Sequence, residues 1–151
     1  MENKNQGYGK EAIRERFDKA PSDLFHYVEL GLISGNDYLH YMKLLSLYNN
    51  EIGYAFPTIN QLCVFLNKST KSIVESNKRL QKYGLLEILE RRGHNNNCYK
   101  TVAPFTNTEL DKLYPTEAKK FLLRKEKLLE KEEQDKQRLA AFVNEDKNNH
   151  M

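Results

Sequence analysis

Apolar and polar residues in the middle of the chain alternate with the spacing of two short helices separated by a tight turn. Thr58 is placed to cap the first helix, because its hydroxyl can accept a hydrogen bond from a free N–H group of the first helical turn. The apolar face that follows at helical spacing consists of Ile59, Leu62, Val64, Phe65 and Leu66. Residues 67–69 are polar and interrupt this pattern, so a turn is predicted between the first helix and the second.

The second helix is predicted from about residue 70 to residue 83, with Ser69 or Thr70 as its cap. Its inward-facing positions are Ile73, Leu80 and Tyr83. Gly84 should end this helix, since glycine adopts the left-handed conformation of a helix end without steric cost. Branched residues over 85–89, a polar turn over 91–97 and a returning segment over 98–102 then predict a two-stranded hairpin.

This order of elements resembles the winged helix-turn-helix DNA-binding domains of bacterial, plasmid and phage regulators and replication proteins. The aromatic-Pro-Thr start of the first helix and the Ser-x-x-Ser-Ile start of the second carry the resemblance. So do the Leu-x-x-Tyr-Gly-Leu-Leu hinge into the hairpin and the Asn-Cys-Tyr of the returning strand. These motifs lie at residues 56–58, 69–73, 80–86 and 97–99. Asn77 departs from the family, which has an apolar residue there, so either Asn77 is buried and hydrogen-bonded or the helix is rotated slightly.

The resemblance implies a winged helix-turn-helix domain, and the pattern after it adds a long C-terminal helix, so the predicted fold is mainly α with a small β-hairpin. We expect an N-terminal arm and short helix over residues 1–20, the winged-helix domain over 24–104, a helical extension over 105–143 and a disordered tail over 144–151. Residues 37–48 predict a strongly apolar supporting helix, capped by Ser34 or Asn36, with its tyrosines in the core and His40 at the rim. Residues 24–33 are expected to form a strand or linker that pairs with the hairpin, although their pattern does not separate strand from helix.

A recognition helix fits the major groove of DNA, so its leading residues should be short and polar, or basic. The candidate contacts at the starts of the two helices are Thr58, Lys68, Ser69, Thr70, Lys71 and Ser72. Farther along the second helix, the residues expected to face outward are Glu75, Ser76, Lys78 and Arg79. Lys71, Lys78 and Lys82 form one basic stripe at helical spacing. Glu75 lies within that stripe and either accepts from a cytosine amino group or pairs with Lys71 or Arg79; we favour the pairing.

The predicted hairpin adds further basic and polar side chains, which are Arg91, Arg92, His94, Asn95, Asn96 and Lys100. A basic loop that contains glycine usually contacts the DNA backbone or enters the minor groove in such folds. Any solvated hairpin tip has a similar composition, so the loop supports DNA binding only in combination with the helix pair.

A short helix capped by Thr106 or Asn107 is predicted before Pro115, and a long Lys/Glu-rich helix from there to about residue 143. Its apolar residues recur at near-heptad spacing, with a gap over 131–138 that contains no apolar residue. This helix either packs on its own domain over residues 121–129, forms a two-part dimer contact or is a solvated single helix held by Glu–Lys pairs. We favour self-association, with the candidate contacts Phe121, Leu122, Leu128, Leu129, Leu139 and Phe142.

The chain has 151 residues, 39% of them hydrophobic, which predicts one modest core with an extension. A net charge of +3 is only a mild bias toward anionic partners, so an argument for DNA depends on where the charges lie. Cys63 and Cys98 lack a metal-like spacing to histidine and are expected as buried free thiols. The sequence contains no recognisable catalytic, metal, cofactor or small-molecule motif, no signal peptide and no membrane span, so we expect a cytoplasmic protein that is not an enzyme.

The sequence therefore predicts a non-enzymatic protein that binds double-stranded DNA with some sequence preference. A homodimer is expected through the C-terminal helix or the segment before Pro21. The resemblance implies a bacterium or mobile element, and a role in transcription, replication or transfer control. The alternative is a winged-helix module for protein–protein interaction without direct DNA binding, in which Val74, Glu75 and Asn77 belong to a protein contact.

Overall fold

The computed structural model describes residues 9–13, 17–90 and 97–150. After a 3-10 turn at Lys10–Ala12, the elements are α1 (Leu24–Glu29), α2 (Gly35–Ser46), α3 (Ile59–Leu66), α4 (Thr70–Lys82), β1 (Leu86–Glu90), β2 (Asn97–Thr101), α5 (Asn107–Leu113) and α6 (Pro115–Asn149). The fold is mainly helical, with a two-stranded antiparallel hairpin and a long C-terminal helix. This is the predicted winged helix-turn-helix with an added helix.

Side-chain caps begin four of the helices and decide between the alternatives that the sequence left open. Ser34 caps α2, Ser69 caps α4 and Thr106 caps α5, each hydroxyl accepting from a backbone N–H three residues ahead. Thr58 caps α3 as predicted, and Gln61 returns the bond by accepting from the Thr58 N–H at 2.9 Å. Such caps contribute about 1 kcal/mol each, so these helix starts are fixed locally.

Two left-handed residues set the turns on either side of α4. Asn67 ends α3 with φ at 50°, a conformation that asparagine tolerates better than most residues. Gly84 follows α4 with φ at 72°, and the next N–H, of Leu85, donates to the Leu80 carbonyl at 2.9 Å. The prediction that Gly84 ends this helix is confirmed.

The partner of the hairpin differs from the expected one. Residues 24–33 do not form a strand or linker beside the hairpin, because Leu24–Glu29 is helix α1. The spacing of Leu24, Tyr27 and Leu30 places all three on one buried helical face. The backbone of Ala55 pairs with β2 instead, donating to the Tyr99 carbonyl at 2.8 Å and accepting from its N–H at 2.7 Å.

The core is built where α1, α2, α3, α4 and the hairpin meet, and α5 and the start of α6 close it. Its fully buried side chains include Leu24, Tyr27, Tyr41, Leu44, Leu62, Ile73, Leu80, Leu85, Tyr99 and Leu110. Two of the tyrosines satisfy their hydroxyls on the backbone. Tyr41 donates to the Val102 carbonyl at 3.0 Å, and Tyr27 accepts from the Phe105 N–H at 2.9 Å. Of the two tyrosines of α2, Tyr41 therefore belongs to the core, as predicted, and Tyr38 is partly buried against it.

His40 is not the rim residue that the sequence predicted, since only 1% of it is exposed. Its Nε2 donates to the Asn77 side-chain oxygen at 2.7 Å, and the Asn77 amide donates to the Tyr99 hydroxyl at 3.4 Å. Asn77 is thus buried and hydrogen-bonded, the first of its two alternatives. Burial lowers the pKa of His40, so the imidazole is neutral in this network near neutral pH.

The described parts of the N-terminal segment do not show the short helix that was expected before Pro21. Lys10–Ala12 is a single 3-10 turn, and residues 17–20 have no regular structure, while residues 14–16 lie outside the described part of the chain. Phe17 is exposed, so this part of the segment does not bury the apolar side chain that would have stabilised a helix.

Helix α6 packs on the domain only at its start. Ala118 is buried, and the partly buried Phe121 meets the His26 ring edge-on at a centroid distance of 5.6 Å. Arg124 donates to the Glu29 carbonyl at 2.6 Å. Beyond this point the side chains are exposed, and the helix continues to Asn149, although the sequence predicted a disordered tail from residue 144.

His26 joins α1 to α5 in a cluster that predicts a pH-dependent stability. Its ring nitrogens lie 2.6 Å from Asp111 Oδ1 and 3.1 Å from Glu29 Oε1. Burial lowers the pKa of His26, but the hydrogen bonds and charges of Asp111 and Glu29 outweigh it, and the net pKa is raised above 6.5. The stabilisation is therefore complete below pH 6.5 and is lost as pH rises through the raised pKa.

Urea unfolding of the parent and of His26→Gln at about pH 5.5 and about pH 8.5 tests this cluster. The free energy of unfolding of the parent should exceed that of the variant by more at about pH 5.5 than at about pH 8.5. Other groups, including His40, titrate in both proteins and cancel in the difference. A difference that does not change with pH would contradict a charged His26 in the folded state.

Candidate nucleic-acid interface

Helix α4 divides into a buried face and an exposed basic face. The buried positions are Ile73, Ser76, Asn77 and Leu80. The exposed positions on the opposite side are Lys71, Glu75, Lys78 and Lys82, which we call the α4 stripe. Over the described residues, the lysines of the stripe form no salt bridge. Ser76 was expected to face outward, but it lies on the buried face of the helix, where its hydroxyl donates to a buried carboxylate.

The buried carboxylate is Asp37 of α2, and it holds Arg79 at the edge of α4. Arg79 donates from Nε to Asp37 Oδ2 at 2.8 Å and from Nη2 to Oδ1 at 2.9 Å. Asp37 also accepts from the Ser76 hydroxyl at 2.7 Å and from the Ser34 N–H at 3.0 Å. Asp37 is fully buried, whereas the Arg79 side chain is 43% exposed.

These contacts fix the charge states of the pair. Burial of Asp37 disfavours ionisation, but the hydrogen bonds from Arg79, Ser34 and Ser76 and the charge of Arg79 lower its pKa to about 2. The hydrogen bond with Asp37 raises the pKa of Arg79 above its usual value. Arg79 was predicted as a DNA contact, and the structure commits two of its N–H groups to α2. Its primary contact is therefore structural.

Glu75 does not form the pair that the sequence favoured. The salt bridge of Arg79 goes to Asp37, and none joins Glu75 to Lys71 or Arg79 among the described residues. Glu75 stays exposed within the α4 stripe. Its other proposed role, accepting from a cytosine amino group, needs an exposed carboxylate of this kind.

The start of α4 faces a cavity of about 100 Å³ beside the start of α2. Residues on its wall include Ser34, Asn36, Lys68, Ser72 and Arg79. The Ser69 hydroxyl is occupied in capping, since it accepts from the Ser72 N–H at 3.2 Å and donates to the Ser72 hydroxyl at 3.1 Å. Thr70 is exposed, with its hydroxyl 3.8 Å from Cys63 Sγ. Lys68 and Thr70 are thus the more available polar side chains at this end.

A groove of about 270 Å³ lies between α4, the first residue of α3 and the hairpin. We call it the α4–hairpin groove. It is lined by the aliphatic side chains of Ile59, Val74 and Ile88 and by the polar side chains of Asn77, Lys78, Gln81, Glu90 and Asn97. Thr58, the cap of α3, directly precedes Ile59 at its edge. Val74 and Gln81 were not among the sequence-predicted DNA contacts, because α4 alone does not reveal this wall of the groove.

Of the DNA contacts predicted on the hairpin, Lys100 is the one that lies among the described residues. Arg91, Arg92, His94, Asn95 and Asn96 lie outside the described residues, and their predicted contacts stay predictions. Lys100 is exposed and lies 4.0 Å from Glu87, its cross-strand partner. Because side chains alternate along a strand, this pair is on the opposite face from Ile88 and Tyr99.

Cys98 is buried as predicted, whereas Cys63 is only partly buried, and both thiols are free. In residues 9–13, 17–90 and 97–150, no three His, Cys, Asp or Glu side chains converge closely enough to hold a metal ion. None of the helices described combines the length and apolar composition needed to cross a membrane.

Comparison with known proteins gave no family model and no curated protein that matches the chain. Two solved structures are similar to it, each at 20% sequence identity and a TM-score of 0.49. One is described as the N-terminal domain of a DNA binding protein and covers 68% of this chain and 86% of its own. The other belongs to a Rep–DNA complex and covers 67% and 86%. At this level of similarity, neither assigns a function to the chain.

Proposed function

We propose that this protein binds double-stranded DNA with a sequence preference, with α4 in the major groove and the hairpin on the backbone or minor groove. The observation that carries the proposal is the α4 stripe, in which Lys71, Lys78 and Lys82 are exposed on one helix face without a salt bridge in the described structure. Three cations that have no salt-bridge partner in the described part of the chain, on the outer face of the second helix of a helix-turn-helix, are placed to meet phosphates on either side of a groove.

The resemblance in sequence extends to regulators and to replication proteins of bacteria, plasmids and phages, and the proposal covers control of transcription, replication or transfer. We propose that the protein acts in the cytoplasm and that it catalyses no reaction. DNA contacts are assigned to Thr58, Lys68, Thr70, Lys71, Ser72, Glu75 and Lys78, together with the hairpin residues named above. Ser69 and Arg79 are assigned mainly to holding α4 in place, because the Ser69 hydroxyl already both donates and accepts and Arg79 is bound to Asp37. The Thr58 hydroxyl accepts from the Gln61 N–H and keeps its own hydrogen to donate.

Selection from a pool of randomised duplexes tests the proposal, followed by titration of an enriched duplex at several salt concentrations. Enrichment of one motif should be found, and log K should fall linearly with log salt, by about 0.9 per neutralised phosphate. Absence of any enriched duplex, with binding to a protein partner that is insensitive to salt, would instead support the protein-interaction alternative.

We further propose that two copies associate through α6. Beyond Arg124 its exposed apolar side chains recur on one face, which includes Leu128, Leu129, Leu139 and Phe142, with Leu122 nearer the domain. Phe121 packs on the domain, so we remove it from the proposed contact. The folding unit is then residues 24–104 together with α5 and the first turns of α6. A dimer of this kind should recognise two half-sites about one helical turn apart, or a multiple of that distance.

Leu128→Glu/Leu139→Glu is expected to halve the mass in solution and to weaken binding to a two-half-site duplex by about tenfold or more, because avidity is lost. Light scattering and binding titrations measure the two effects. Leu123→Glu is the matched control, since Leu123 is also exposed on α6 but lies on another face. A native chain that is already monomeric, with unchanged affinity in the double variant, would exclude this dimer.

A further inference from the structure

Val74 is an apolar side chain on the exposed part of α4, next to the lysines of the α4 stripe. It is 37% exposed and lies between Lys71 and Lys78, one turn from each. The core position beside it is filled by Ile73, which is buried. A β-branched residue is less favourable in a helix than alanine, lysine or glutamate, so an exposed position of α4 gains no helix stability from valine.

The surroundings of Val74 make its methyl groups a rigid part of the interface. Val74 forms the apolar wall of the α4–hairpin groove with Ile59 and Ile88, while Lys78 and Gln81 supply polar groups next to it. A β-branched side chain in a helix has one strongly preferred χ1 rotamer, so its methyl groups are presented at little entropic cost. A polar helix face that carries one rigid apolar side chain can recognise an apolar group on a surface whose other groups are polar.

We infer that Val74 is a specificity-determining residue that contacts the C5-methyl group of a thymine in the major groove. This inference rests on the proposed function and adds the base type that the site selects. The thymine methyl is the apolar group on the major-groove edge, where the other groups are hydrogen-bond donors and acceptors. Lys71 and Lys78 would hold the register through phosphates, and Val74 and Glu75, which lie between them along the helix, are placed to meet base edges.

The experiment uses the duplex enriched by selection, in which each thymine is replaced singly by deoxyuridine. This change removes only the methyl group and keeps the base pairing and the hydrogen-bonding edge. At one position the parent should bind about fourfold more weakly, the effect of exposing about one buried methyl group. Val74→Ala should bind the thymine duplex more weakly and should lose less than about twofold on the same replacement.

Val64→Ala is the matched control, because Val64 of α3 is 78% exposed and lies outside the groove. It should keep the full sensitivity of the parent to deoxyuridine. If Val74→Ala loses affinity equally for both duplexes, Val74 acts by packing on Ile59 and Ile88, and the inference is overturned. Specific binding with no thymine that depends on Val74 overturns it as well, while leaving the proposed function intact. Failure to enrich any duplex overturns the proposed function itself.

Discussion

Replacement of Arg79 by methionine is expected to destabilise the protein by about 3–5 kcal/mol, more than replacement of its partner Asp37 by asparagine. The two variants break the same salt bridge but leave different residues behind. Arg79→Met leaves the Asp37 carboxylate fully buried without its charge partner. Asp37→Asn leaves a guanidinium that is 43% exposed and can turn to water, so we expect a cost nearer to about 2 kcal/mol. Urea unfolding near neutral pH measures both.

The pH dependence identifies the carboxylate as the origin of the effect. In the parent, the pKa of Asp37 is lowered from 3.8 to about 2, so its contribution is complete above about pH 4 and is lost as pH falls toward 2. A fall of just under two units at 1.36 kcal/mol per unit corresponds to about 2 kcal/mol. The difference between the parent and Arg79→Met should therefore narrow on acidification, because a protonated Asp37 no longer needs a cation.

Two further variants serve as controls for the role of the Asp37–Arg79 pair. Arg138→Met removes an exposed pair with Asp135 on α6 and should change stability by less than about 1 kcal/mol. Arg79→Lys keeps the charge but cannot reproduce the two parallel hydrogen bonds, so it should recover only part of the loss. A cost for Arg79→Met no larger than that for Asp37→Asn would contradict the asymmetry between a buried and a half-exposed partner.

Features of this fold that depend on neighbouring residues could be predicted from the sequence better than features that depend on residues far apart in the chain. The cap at Thr58 and the end of α4 at Gly84 depend on neighbours within a few residues and were predicted, and Ser34 and Ser69 were each one of two candidate caps. The winged-helix order followed from these signals and from the apolar spacing. Helix α1 was not predicted because it is only six residues long, a length at which apolar spacing does not distinguish a helix from a strand.

The wrong expectations for Arg79, Ser76 and His40 have one cause, which is pairing between α2 and α4. Asp37 and Arg79 are 42 residues apart, and His40 and Asn77 are 37 apart. From the charge pattern of α4 alone, Arg79 and Lys78 are both predicted to contact DNA, although only Arg79 reaches a buried carboxylate. The capping motif from Ser34 to Asp37 locates the acid near a helix start, but its burial becomes evident only when α4 is packed over it. The exposed lysines needed no such information, because helical spacing alone places them opposite Ile73 and Leu80.

Because Arg79 supports the fold, a test of the DNA interface has to leave it unchanged. Lys71→Glu/Lys78→Glu is expected to weaken binding to an enriched duplex by about 100-fold at about 0.1 M salt. Each lysine that neutralises one phosphate contributes about eightfold at that salt concentration, and the two introduced carboxylates add repulsion. The salt slope should become shallower by about 2, because two fewer counterions are released.

Lys120→Glu/Lys127→Glu is the control, since it places the same two charge reversals seven residues apart on an exposed face of α6. It changes the net charge equally and should alter affinity by less than about threefold. Neither double variant removes a buried contact, so each should stay within about 1 kcal/mol of the parent in urea unfolding. Equal losses in both variants would show that binding follows net charge rather than the α4 stripe. A loss confined to Lys71→Glu/Lys78→Glu, with the shallower salt slope, would place the phosphates against α4 itself.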